Sequence, residues 1–160
     1  MADAPTTQTT PGGDAPTPGA APTPAKKKSN PSDPYTWGVG RRKTAVARVR
    51  IRPGDGQFQI NKRPVDKFFA LDCDRGSVRT PLRVTQTADS VDVFVNVRGG
   101  GVSGQAGAVV LGLARALARY NADLEPKLRE NHLLSRDSRK VERKKYGQRG
   151  ARRRFQFSKR

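Results

Sequence analysis

Residues 91–120, VDVFVNVRGGGVSGQAGAVVLGLARALARY, change period once. Val91, Val93, Val95 and Val97 recur at every second position, the spacing of a strand with one buried face. After Arg98-Gly99-Gly100-Gly101 the spacing becomes helical. Ala106, Val109, Val110, Leu113, Leu117 and Tyr120 predict the buried face of a helix from about Ser103 to Tyr120. Ser103 stands where an N-cap is expected. Gly104, Ala108, Gly112 and Ala116 form an i,i+4 ridge of small residues, which lets the helix approach a sheet or another backbone closely.

Upstream, residues 44–52 alternate: Ala45, Ala47, Val49 and Ile51 on one face, Val46, Arg48, Arg50 and Arg52 on the other. This predicts a half-buried strand with an arginine-lined outer face, opened by Arg41, Arg42 and Lys43. The turn residues Pro53-Gly54-Asp55-Gly56, then Phe58 and Ile60, predict a partner strand and a hairpin. Pro64, Val65, Phe68 and Phe69 predict a short helix. Residues 71–80 read as irregular, Leu82 and Val84 as a further strand, and Asp89-Ser90 as a turn. Downstream, Pro126 starts a last helical turn or two anchored by Leu124, Leu128 and Leu134. Strands first and helices after predict an α+β domain.

The ends are different material. Eight of the twelve prolines fall in residues 1–34, where Lys26, Lys27 and Lys28 cancel Asp3, Asp14 and Asp33. That composition predicts a disordered, partly polyproline-II extension. Residues 136–160 hold twelve Arg and Lys against Asp137 and Glu142, with Val141, Tyr146, Phe155 and Phe157 as the sizeable apolar side chains. So little apolar surface cannot offset ordering entropy, and a long tail disordered in the free protein is expected. The domain proper is therefore residues 35–135.

The net charge of +18 is the footprint of a polyanion partner. Membrane is the competing polyanion, but no stretch approaches the ~20 apolar residues of a spanning helix. The N-terminus has neither an apolar signal core nor the arginines of a transit peptide. One cysteine, Cys73, excludes an internal disulfide framework and agrees with a reducing compartment; with His132 as the single histidine, a metal site is not expected. Asp72 and Asp74 would push the Cys73 thiol away from reactivity. No nucleophile–base or paired-carboxylate constellation is visible, so neither catalysis, a cofactor nor a small-molecule substrate is expected.

Gly99, Gly101 and Gly104 satisfy G-x-G-x-x-G between a strand and a helix, with Asp123 and Glu125 downstream. A dinucleotide fold needs a second parallel strand after the helix, and none is visible before Pro126 and the basic tail. Gln105 and Ala106 replace the Lys and Ser/Thr of a P-loop. Two readings remain: a tight turn without a ligand, or a phosphate-binding turn beside Arg98.

The candidate basic contacts to nucleic acid form three sets: Arg41, Arg42 and Lys43 opening the first strand, Arg48, Arg50 and Arg52 along one face of it, and the tail. In the tail they are Arg136, Arg139, Lys140, Arg143, Lys144, Lys145, Arg149, Arg152, Arg153 and Arg154. The glycine-rich helix start adds Arg98, Gly99, Gly100, Ser103 and Gly104. Arg115 and Arg119 extend the basic surface. With no base-reading motif in view, shape and phosphate contacts are expected to dominate. A free-standing nucleic-acid chaperone or a DNA-compacting protein is the alternative that a basic tail alone would support.

The segment 38–49, GVGRRKTAVARV, resembles ribosomal protein nine of the small subunit. Residues 104–108 with 114–117 are similar to that family's central helix, and residues 134–139, 142–147 and 156–160 to its tail, in the family's order. The resemblance covers about residues 35–160 and looks bacterial. It implies a small α+β domain like domain two of small-subunit ribosomal protein five. It further implies a place in the head of the small subunit of the cytoplasmic ribosome, bound to ribosomal RNA beside neighbouring head proteins. Ser158, Lys159 and Arg160 would then approach transfer RNA in the peptidyl site. Residues 1–34 and the bulky Arg152-Arg153-Arg154-Phe155 segment depart from the family's pattern.

Overall fold

The computed structural model describes residues 34–159. The expected extension therefore lies outside the described residues except for Pro34, and so does the terminal Arg160. Five strands form one sheet: β1 (Thr36–Arg42), β2 (Ala45–Pro53), β3 (Phe58–Ile60), β4 (Arg63–Pro64) and β5 (Val91–Arg98). Their order is β1-β2-β5-β3-β4, with the β3–β5 pair parallel and the others antiparallel. The helices are α1 (Val65–Phe68), α2 (Asp72–Thr85), α3 (Val102–Tyr120) and α4 (Glu125–Glu130), with a 3-10 turn, Ala122–Leu124, before the last. This is the α+β class that the sequence predicts.

Register explains the layering. Ala47 faces Val97, Val49 faces Val95 and Ile51 faces Val93, so the apolar sets of β2 and β5 meet on one face. Val49, Ile51, Val93 and Leu113 are fully buried; each contributes about 1.5–3 kcal/mol through removal from water. Helix α3 lies across β1 and β2 on that face, α2 packs beside it, and α4 closes against both. Buried between sheet and α2, α3 hides Leu111 and Ala114 as well, while Val110 is half-buried and Tyr120 exposed.

Strand β1 is missed by alternation because residues 36–42 contain Gly38 and Gly40, poor strand formers. Both glycines face the ridge of small residues on α3. A Cβ on Gly38 would collide with Gly112 O, and one on Gly40 with Ala108 O. The ridge thus meets a groove of matching glycines, as close approach requires. The first strand is therefore β1, and Lys43-Thr44 form the turn into β2 rather than its opening residues.

Two further expectations are corrected. Strand β3 does not form a hairpin with β2, because β5 enters between them. The four buried valines of β5 suit a central strand with partners on both edges, and the β3-to-β5 crossover supplies the parallel one. The expected irregular run at 71–80 and strand at 82–84 are one helix, α2. Its buried positions Asp74, Val78, Pro81, Leu82 and Thr85 have helical spacing but only two large aliphatic residues, too weak a pattern to see in sequence. Pro81 does not end it; Gln86 does, in the left-handed conformation (φ 55°).

Candidate nucleic-acid interface

The face of β1, β2 and β5 opposite α3 carries no packed helix among the described residues. Alternation places Trp37, Val39 and Arg41 there from β1, Arg48, Arg50 and Arg52 from β2, and Phe94, Asn96 and Arg98 from β5. Arg50 lies over both Tyr35 (5.2 Å) and Phe94 (5.4 Å), Arg52 over the same rings (5.9 and 5.3 Å), and Arg48 over Trp37 (5.8 Å). Tyr35 and Phe94 meet edge-to-face at 6.3 Å. These are cation–π distances, so rings and guanidiniums hold each other in place.

One acid sits in this face, and it is occupied. Asp92 is buried, accepting from the backbone N–H groups of Asp55 (3.1 Å) and Gln57 (3.0 Å) and from Arg52 Nε and Nη2 (3.1 and 3.0 Å). The Gln57 N–H, with Arg52 and the Asp55 N–H, holds its carboxyl below the ordinary carboxylate range despite burial. Asp92 in turn raises the Arg52 guanidinium.

Alternation also divides the basic triplet. Arg41 and Lys43 are exposed at the end of the β1–β2 hairpin, but Arg42 is half-buried and bonds Asp137 at 2.9 Å. Arg42 thus fastens the root of the tail. Arg139 also donates to Asp137, from its side chain and its backbone N–H, and these bonds hold the Asp137 carboxyl far below its usual range.

The exposed Arg98 and the glycine turn share the hairpin's end. Gly99 and Gly100 have φ of 73° and 69°, and a Cβ on either would press on Thr44 or Ala45. Gly101, not Ser103, is the N-cap of α3, with no side-chain cap. Ser103 is exposed and lines a cavity of about 380 Å³ with Arg41, Arg42 and Asp74, whereas Gly104 is buried. Arg115 and Arg119 donate to Val39 O (2.9 Å) and Trp37 O (2.7 Å), covering alternate carbonyls of the sheet's open edge.

The tail, residues 136–159, contains neither helix nor strand. Val141, Tyr146 and Phe157 are almost wholly exposed. A local turn forms where Arg149 N and Gly150 N donate to Arg153 O, Glu142 pairs with Arg152, and Arg149 lies over Phe155 (5.7 Å). Both acids of the tail are thus engaged. Arg136, Lys140, Arg143, Lys144, Lys145, Arg149, Arg153, Arg154 and Lys159 have no salt-bridge partner among the described residues. Ser158 and Lys159 are exposed.

Comparison with known proteins fixes what this basic surface belongs to. Residues 40–160 match the family described as ribosomal protein S9/S16. The chain belongs to that family. Two similar proteins, each named "Small ribosomal subunit protein uS9", come from two strains of Treponema pallidum, one of them strain Nichols. Each is 58% identical over 123 residues, which is 77% of this chain and 95% of the relative. Membership makes the chain a small-subunit ribosomal protein, a structural constituent of the translation machinery.

The glycine turn does not open a dinucleotide fold, since a 3-10 turn and α4 follow α3. Cys73 and His132 are exposed, and among the described residues no three His, Cys, Asp or Glu side chains gather to hold a metal ion. No described helix is long and apolar enough to cross a membrane. What sequence reading missed is the aromatic set. Phe94 is far from Tyr35 and Trp37 in the chain, and only the β1–β2–β5 register, Trp37↔Arg50↔Phe94, brings it to them.

Proposed function

We propose that this chain binds ribosomal RNA in the head of the small subunit and that its tail reaches transfer RNA in the peptidyl site. The observation that carries the reading is the tail: eleven basic residues over 136–159, two acids already paired, and no regular structure. Such a segment gains most from phosphates, which replace water around each cation and release counterions. Arg41, Lys43, Arg48, Arg50 and Arg98 dock the domain, while Arg42 and Asp137 aim the tail. Lys159 serves as a mobile point charge on transfer RNA phosphate beside Ser158, and Arg160, outside the described residues, as a forked donor.

Deleting residues 158–160 tests the finer claim. Peptidyl-site transfer RNA should leave purified small subunits faster, with subunit assembly intact; unchanged off-rates would remove the tail-tip role. Sedimentation separates this from a free-standing nucleic-acid chaperone, because a ribosomal component co-migrates stoichiometrically with small subunits at moderate salt.

A further inference from the structure

Resting on the RNA-binding reading, a narrower assignment follows from the outer face of the sheet. A surface that met RNA through phosphates alone would need cations and no rings. Here Tyr35, Trp37 and Phe94 lie among Arg48, Arg50 and Arg52, each arginine within 6 Å of a ring centroid. Arg52 is neutralised by Asp92, and Arg50 is held between two rings, so these form a fixed floor. Arg48 is exposed beside Trp37, whose backbone is pinned by Arg119.

We propose that this face is a stacking site for unpaired RNA, with a nucleobase on the Trp37–Arg48 pair and its flanking phosphate on Arg50. The geometry selects this occupant on two grounds. A base paired within an A-form helix shows the protein its edge, whereas an unpaired base offers the flat π-face that a ring or guanidinium plane accepts. An acidic peptide would satisfy the arginines but would bring no flat π-face to the Trp37–Arg48 pair. The site thus adds base contacts to an interface otherwise made of phosphate contacts.

Trp37 is the chain's one tryptophan, so its fluorescence reports on this face and not on the tail. The full chain is titrated at moderate salt with oligoadenylate, with an RNA duplex of equal charge, and with polyglutamate. Oligoadenylate should quench Trp37 strongly and the other two weakly. Trp37→Leu should weaken oligoadenylate binding about 5-fold or more, the loss of one stacked base, and leave duplex binding unchanged. Equal quenching by the duplex or by polyglutamate would overturn the stacking site. RNA binding with no change at Trp37 would overturn it too, while leaving the tail's role intact. If no RNA bound even at low salt, the RNA-binding reading itself would fall.

Discussion

Arg50 and Arg143 show two ways of holding a guanidinium. On the sheet, Arg50 is wedged over Tyr35 and Phe94, on a strand whose other face is core. In the tail, Arg143 is exposed on a segment without helix or strand, among Lys140, Lys144 and Lys145. The first has already lost its rotamer freedom in folding; the second loses it only on binding. On the proposed RNA-binding reading, the sheet supplies geometry, and the tail supplies reach, affinity and salt dependence.

The comparison breaks most completely if the frame beneath the sheet is removed. Gly40→Val places side-chain atoms against the backbone of α3, and should destabilise the domain by about 3 kcal/mol or more in thermal melts. Deleting residues 140–160 should shift stability by less than about 0.5 kcal/mol. If the deletion unfolded the domain, the tail would be part of the core and the contrast would be false.

Next in size is salt dependence. Removing residues 140–160 takes away ten basic side chains. Each lost phosphate contact should lower the slope of log affinity against log salt by about 0.7–0.9, so the deletion should reduce it by several and Arg50→Ala by about one. Filter binding to small-subunit ribosomal RNA at four or five salt concentrations measures both.

The smallest expected effect is in acid. The carboxyl of Asp92 is depressed in the folded chain by the Gln57 N–H and Arg52, so its contribution is present above the unfolded value near ~3.9 and lost as pH falls through the folded one. Melting temperature should stay level from neutral pH to about 5 and fall below about 4, less steeply in Asp92→Asn. Asp137 acts in the same direction. A variant as acid-sensitive as the parent would mean that Asp92 does not hold the Arg52 end of the platform.

Much of this was legible in residue spacing, and the failures are physical. The alternation in β2 and β5 and the helical period of α3 are strong because apolar residues fill nearly all the buried positions. Strand β1 escapes because its buried positions are glycines, and α2 because Val78 and Leu82 are its only large buried aliphatics. The β2–β3 hairpin was a false lead: turn chemistry at Pro53-Gly54 is local, whereas the insertion of β5 is set by partners forty residues away, Arg52 with Asp92 among them. For the candidate site, the basic sets and the tail could be read directly. The aromatic floor could not, since it exists only after three strands align.

On the proposed reading, the domain holds its shape alone and the tail takes its shape from RNA. Hydrogen exchange on the free chain and on the same chain in purified small subunits tests it most directly. Amides of β2, β5 and α3 should be protected in both states, and those of residues 140–159 only in the particle. Protection of the tail in the free chain, or its absence in the particle, would contradict the account.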